Sequence, residues 1–360
     1  MGEGEDKILM SGNEAIGEGA ILAGCRFYAG YPITPQNELT NYMASRMPEV
    51  GGVFIQAESE LAAINMVFGA SVAGARAMTS SSSPGISLKQ EGISYLVGCE
   101  LPAVIVNMMR GGPGLGNIAP SQSDYFQATK GGGHGDYRLI VLAPNSVEEA
   151  FTLQMLAFDL ADRYRNPVLL LGDGMLGQMM EPMRKVKQKR DTLSSSCSEK
   201  KNWALTGCRG REPRVIRSLL LKEGALEEHN RKLQEKFALI KKKEVRYQEI
   251  ELKDAELILV AYGTVSRICE AVLRKMRSYG NKVGLIRPIS LWPFPEEVIK
   301  EQAEAKKRFL VVEMSCGQML EDVKLAVEGK SEVRFYGRTG GGVPSEEEII
   351  KEINKMLKRE

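Results

Sequence analysis

The feature that most constrains the fold is an alternation of short apolar runs with helical stretches, and it occurs twice along the chain. Apolar runs at 26–29, 53–56, 77–79, 103–106, 139–142 and 168–171 are separated by helical patterns at 13–22, 59–73 and 86–97. Strands buried on both faces read as unbroken apolar runs, because helices cover the sheet above and below; the pattern predicts an α/β fold with a parallel sheet. After Asp254 the alternation resumes, with strands expected at 257–261, 282–286 and 309–312. Helices are expected there at 265–276, 295–304 and 318–326, followed by an amphipathic helix at 344–357. The stretch between differs: 184–190 is basic, 194–198 is polar, and 225–243 is a charged helix with apolar Leu226, Leu233, Phe237 and Ile240. A chain of 360 residues also exceeds what one core usually serves. The expected division is 1–182, a partly helical connection over 183–253, and 254–360. The basic run reads as a solvated face or a partner-docking segment, since nearby glutamates offset it.

Composition excludes several classes. With 43% hydrophobic and 26% charged residues the chain is ordinarily globular. A net charge of +2 gives no long-range reason to expect nucleic acid as the ligand. No apolar run approaches the ~20 residues that span a bilayer. The start, Met1-Gly2-Glu3-Gly4-Glu5-Asp6, is acidic where a secretion signal would be basic, so a cytoplasmic protein without a membrane segment is expected. Cysteines at 25, 99, 197, 208, 269 and 316 form no C-x-x-C pair, which removes zinc-ribbon, iron–sulfur and thioredoxin-type motifs. They are expected to be small buried hydrophobes. With only His134 and His229, no metal site is assigned to the chain.

Four segments carry candidate chemistry. Gly172-Asp173-Gly174-Met175-Leu176-Gly177 follows a strand and satisfies G-x-G-x-x-G, with Asp191 near the acidic position of a dinucleotide site. Pro182 interrupts the helix that should receive a pyrophosphate, so the mechanism lacks its main part. Asp173 with Asn202 also resembles a magnesium–diphosphate motif, but the stretch between them is too charged for a strand–helix unit, and a tight turn is the better reading. Arg110-Gly111-Gly112-Pro113-Gly114-Leu115-Gly116-Asn117 follows a strand, where a glycine-dense loop lets a ligand approach the backbone. An arginine there suits a carboxylate or phosphate, or else makes a surface ion pair. Glu58 and Glu60 stand at a helix entry, where the dipole favours acids. Glu60 also precedes a stretch with almost no polar side chains, as befits a carboxylate held in a dry place for acid–base work.

Gly30-Tyr31-Pro32-Ile33-Thr34-Pro35, then Glu58-Ser59-Glu60-Leu61-Ala62-Ala63, Arg110-Gly111-Gly112-Pro113 and Tyr336-Gly337-Arg338-Thr339-Gly340-Gly341, in this order, resemble the alpha subunit of the 2-oxoacid:ferredoxin oxidoreductases. The branched-chain (3-methyl-2-oxobutanoate) type is nearest and the 2-oxoglutarate type is its sister. The likeness covers nearly the whole chain, including 203–207 and Arg287-Pro288. It implies a pyrimidine-binding domain of a thiamine-diphosphate site followed by a transketolase C-terminal-like domain. It also implies a beta subunit holding the diphosphate and Mg2+, gamma and ferredoxin-like delta subunits, and iron–sulfur clusters on those partners. The implied reaction decarboxylates a 2-oxoacid oxidatively, giving CO2 and an acyl group to coenzyme A and electrons to ferredoxin. Carried onto this sequence, Glu60 is the catalytic and cofactor-binding glutamate at N1′ of the aminopyrimidine. Tyr31, Thr34 and Arg110 fall on substrate positions, with Thr34 and Arg110 on the 2-oxoacid carboxylate, while His134 is expected to be structural. A nucleotide-dependent dehydrogenase using 172–177 and a non-catalytic scaffold subunit are the competing classes.

Overall fold

The structure, a computed structural model, describes residues 7–184 and 201–357. Its larger sheet contains β2 (Phe27–Gly30), β3 (Val53–Gln56), β4 (Ala77–Ser81), β5 (Val104–Met109), β6 (Ile140–Leu142), β7 (Val168–Asp173) and β12 (Ser290–Trp292), in the order β12-β6-β7-β5-β4-β2-β3. All neighbours pair in parallel except β12, which runs antiparallel to β6. Every residue of β4, β5 and β7 is buried, as the unbroken apolar runs require. The helices α1 (Gly12–Leu22), α2 (Asn37–Glu49), α3 (Glu60–Val72), α4 (Ser83–Gly98) and α6 (Val147–Tyr164) accompany it. Helix α1 starts where Ser11 and Glu14 form a reciprocal capping box, and the turn after it closes at Gly24, whose φ is +81°.

The second sheet has the order β14-β13-β10-β11-β9, from β9 (Tyr247–Ile250), β10 (Leu257–Val260), β11 (Val283–Pro288), β13 (Arg308–Glu313) and β14 (Val333–Gly337). It is parallel apart from β9. Helices α9 (Gly263–Ser278), α10 (Glu296–Glu304), α11 (Met319–Val327) and α12 (Glu346–Leu357) belong to this half.

Besides α2, α6, β9 and β14, where no element was expected, three features depart from the sequence pattern. β1 (Lys7–Ser11) pairs antiparallel with β8 (Met180–Arg184), a ribbon whose mixed polarity and Pro182 hide it from periodicity. β12 lies beyond residue 254 yet joins the first sheet. In α8 (Ala225–Lys243) Leu233, Phe237 and Ile240 are buried, and Phe237 meets the Trp292 ring edge-on at 6.0 Å, but Leu226 is half exposed and no part of the core. Of the basic run only Arg184 is described; 185–190, 194–198, Asp191 and Cys197 lie outside the described residues. Cys25, Cys99 and Cys269 are buried as expected, with burial pushing the Cys25 thiol up to about 12, whereas Cys208 and Cys316 are exposed on loops. No helix among the described residues is long and apolar enough to cross a membrane.

The halves meet through specific polar contacts. Arg287 donates from Nη1 and Nη2 to both carboxylate oxygens of Glu149, at 2.7 and 2.9 Å. Gln122 donates from Nε2 to the Tyr262 carbonyl and accepts from Met314 N, both at 2.9 Å. Tyr125 donates to Asp322 at 2.5 Å.

Candidate functional site

In an open parallel sheet, ligands settle outside the carboxyl ends of strands where the winding reverses direction. Here that reversal lies between β2 and β4, because the chain moves outward to β3 and then returns to β4 and β5. The segments leaving those strand ends are the turn through Tyr31 and Thr34, the run Ser80-Ser81-Ser82-Ser83-Pro84-Gly85, and the loop that begins at Arg110.

Ser59 fixes the start of α3, its Oγ accepting from Ala62 N at 3.1 Å. This places Glu60 in the first turn with 5% of its surface exposed, while Glu58 stays outside and exposed. Across from it is the first turn of α4. A Cβ on Gly85 would lie 2.4 Å from Glu60 Oε1 and 2.0 Å from Ser81 Oγ, so the carboxylate occupies space that only a glycine leaves open. The Ser81 and Ser82 hydroxyls are buried without a hydrogen-bond partner. One turn further along α4, Lys89 is fully buried, donating to Thr79 Oγ1 at 3.0 Å and to the Glu60 carbonyl at 3.5 Å.

Arg110 reaches the same helix end. Its backbone N donates to Ser83 Oγ at 3.0 Å, and that hydroxyl donates to Asp124 at 2.6 Å. Burial raises the Asp124 carboxyl, and its bonds from Ser83 and Asn107 work against that rise. The guanidinium donates from Nη1 to the Thr34 carbonyl (3.0 Å) and from Nη2 to the Leu115 carbonyl (3.1 Å). Its Nε–H is buried and unpartnered. The loop after Arg110 is closed at its neck by Gly111 N to Ala119 O and Asn117 N to Gly111 O, each 3.0 Å. Asn117 Nδ2 then donates to Gly340 O at 2.9 Å, tying this loop to the second half of the chain.

Glu60 and Arg110 therefore both meet the first turn of α4, and the Arg110 guanidinium reaches from there to the turn that carries Thr34. Tyr31 belongs to the same turn as Thr34 but is 40% exposed. His134 lies elsewhere: its carbonyl accepts from Ser94 near the far end of α4, and it lines a cavity of about 390 Å³ with Tyr95, Gly98 and His229. That cavity is remote from Glu60. The glycine pattern at 172–177 is no dinucleotide loop; where a tight turn was expected, β7 ends at Asp173, which caps a short helix directly. Asp173 Oδ1 accepts from Met175 N and Leu176 N at 2.9 and 3.1 Å, and α7 (Gly174–Gln178) has only 5 residues before β8. Asn202 is exposed beside Trp203, whose Nε1 bonds the Ser71 carbonyl at the far end of α3, so it does not meet Asp173. Among the described residues no group of three or more His, Cys, Asp or Glu is placed to hold a metal ion. Gly85, Ser81, Ser82, Lys89 and Asp124 were not singled out by the sequence; the signal was the four serines before Pro84-Gly85, at a strand-to-helix junction.

A buried carboxylate, a glycine cradle and orphaned hydroxyls fit an uncharged aromatic nitrogen heterocycle such as the aminopyrimidine of thiamine diphosphate. Gly85→Ala tests the cradle. The methyl group meets two movable side-chain ends rather than backbone, so the chain should fold with little loss of stability while Glu60 is displaced. Turnover should fall by about 10²-fold, the low end for an acid–base group. Wild-type turnover in the variant would mean that Glu60 has no fixed task there.

Residues 18–248 match the family model of the pyruvate flavodoxin/ferredoxin oxidoreductase thiamine diphosphate-binding domain, and 255–349 match pyruvate:ferredoxin oxidoreductase core domain II. Fold and match together define a thiamine-diphosphate-binding oxidoreductase subunit. The chain is 51% identical over 352 residues to the ketoisovalerate oxidoreductase subunit VorB of Methanothermobacter marburgensis, covering 97% of each. It is 37% identical over 375 residues to the 2-oxoglutarate synthase subunit KorA of Methanothermobacter thermautotrophicus, covering 98% of this chain and 99% of that one. It also superposes on the solved 2-oxoglutarate:ferredoxin oxidoreductase from Magnetococcus marinus with a TM-score of 0.87 at 27% identity, covering 99% of this chain and 66% of that one. The chain belongs to the 2-oxoacid:ferredoxin oxidoreductase family.

Proposed function

We propose that this chain is the alpha subunit of an enzyme that converts a branched-chain 2-oxoacid, such as 3-methyl-2-oxobutanoate, and coenzyme A into acyl-CoA and CO2, reducing ferredoxin. The observation that carries the substrate class is the 51% identity, over nearly the full length of both chains, to a ketoisovalerate oxidoreductase subunit. The remaining parts are a cytoplasmic complex with a beta subunit for the diphosphate and Mg2+, and gamma and ferredoxin-like delta subunits bearing iron–sulfur clusters. When bound, thiamine diphosphate supplies the nucleophilic carbon and the electron sink for decarboxylation.

This chain contributes position and protons. Glu60, kept from water by the α3–α4 contact, exchanges a proton with N1′ of the aminopyrimidine. Gly85 leaves room for that carboxylate, and the unpartnered Ser81 hydroxyl lies beside the same gap. Arg110 offers its Nε–H and a neighbouring N–H to the substrate carboxylate, and Thr34 Oγ1, which already accepts from Asn37 at 3.3 Å, has its own proton free to donate. Tyr31 closes the outer side of the substrate space.

Purification with the partner subunits and viologen reduction across a panel of 2-oxoacids with coenzyme A tests the reading. Branched-chain acids should give the highest kcat/KM; preference for 2-oxoglutarate would move the chain to the sister type. The chain alone should bind thiamine diphosphate weakly by calorimetry and the complex tightly. Tight, magnesium-dependent binding to the chain alone would return the diphosphate anchor to Asp173.

A further inference from the structure

Lys89 has no part in the chemistry above, yet its position is costly. A lysine side chain is almost never fully buried without a charged partner in direct contact. Lys89 is fully buried, and among the described residues its ammonium hydrogen-bonds the Thr79 hydroxyl and the Glu60 carbonyl, both uncharged. The elements packed around it are β4, which presents Thr79, and the first turn of α3, which presents Glu60. Among the described residues the Glu60 carboxylate is the one charge that bears on it. Gly85 and Lys89 are four residues apart on one face of α4, so the same face makes room for the carboxylate and seats a cation one turn below it.

We propose that Lys89 is a positioning residue whose buried ammonium favours the ionised form of Glu60, and so sets how readily Glu60 releases its proton to the cofactor's ring nitrogen. The inference rests on the reading of Glu60 given above. An opposite charge nearby favours the carboxylate over the carboxylic acid, and water does not screen the effect in a dry site. The coupling is mutual. Burial lowers the Lys89 ammonium to about 7, and the Glu60 charge works against that fall. Protonating one group therefore favours deprotonating the other.

Two measurements test this, the first on the full chain without cofactor. The pH midpoint of the Glu60 carboxylate is read from infrared difference spectra, with its band assigned by its loss in Glu60→Gln. Lys89→Met keeps the length of the side chain and removes the charge, and it should raise that midpoint by roughly one pH unit or more. In the assembled enzyme the acid limb of the C2–H exchange profile should move by the same amount, while KM for the 2-oxoacid is unchanged. A simple packing role for Lys89 would move neither the midpoint nor the limb. If Lys89→Met does not fold, Thr79→Val removes a hydrogen-bond partner of the ammonium and should shift the midpoint in the same direction by less. An unchanged midpoint in the folded variant overturns the proposal. If instead Glu60→Gln exchanges C2–H at the wild-type rate, the role of Glu60 falls, and the infrared midpoint still decides whether Lys89 governs its charge.

Discussion

Glu60→Gln should assemble with its partners and yet slow hydrogen–deuterium exchange at C2 of bound thiamine diphosphate by ~10²–10⁴-fold. An amide has nearly the shape of a carboxylate, so the α3–α4 contact and the Gly85 cradle should survive. What it lacks is a proton to exchange with the ring nitrogen. The local geometry makes the expectation specific to this residue: Glu60 is 5% exposed, whereas Glu58, two positions earlier in the same acidic pair, faces solvent. Exchange measured by quenched-flow NMR on the assembled enzyme provides the test. Exchange at the wild-type rate would reduce Glu60 to a helix-terminal acid.

Arg110→Lys should lower kcat/KM for the preferred 2-oxoacid by about 10- to 150-fold, the equivalent of ~1.5–3 kcal/mol for a lost charge-assisted hydrogen bond. Lysine keeps the charge but loses the planar fork. In the fold that fork has a second task, because Nη1 and Nη2 hold the carbonyls of Thr34 and Leu115 and so join the turn after β2 to the loop after β5. Some loss with any substrate is therefore expected. The decisive quantity is the difference between the 2-oxoacid and an aldehyde analogue that lacks the carboxylate. A larger loss with the acid assigns the remaining N–H groups to the carboxylate; equal losses with both leave Arg110 as a loop fastener alone. Thr34→Val should follow the same pattern with a smaller effect.

Strands were legible where burial on both faces writes itself into sequence as unbroken apolar runs: 168–171 is read directly, and β7 continues only to Asp173, whereas β3 is an edge strand with Val53 and Gln56 exposed and was legible only from the run Val53-Phe54-Ile55. Glu60 was legible for a related reason, since the helix it opens contains so few polar residues. The partners of Glu60 were not. Gly85 matters because the Glu60 carboxylate, opening a helix from a different crossover, would lie 2.4 Å from any Cβ placed there, and no local pattern encodes that distance. Lys89 looks like any polar residue on an amphipathic helix until the neighbouring strand and helix close over it. β12 is short and is recruited across the chain by β6, so nothing near residue 290 announces its sheet. Among the cysteines, 208 and 316 sit on exposed loops, whereas Cys25 and Cys99 are buried although each lies just outside a regular element, so sequence pattern did not separate the two cases.

The arginine loop resembles a buckle, closed at its neck by its own backbone and latched from outside by a second strap. That strap is the Gly340-Gly341 turn. Gly341 has a φ of +94°, and a Cβ there would sit 2.5 Å from Ala119 Cβ, so the latch closes only because both the conformation and the absent side chain permit it. The guanidinium is thus held in register by residues more than two hundred positions away in sequence. If Arg110 reads the substrate as proposed, the second half of the chain belongs to that apparatus rather than being an appendage to it, because its turn latches the loop that holds the guanidinium.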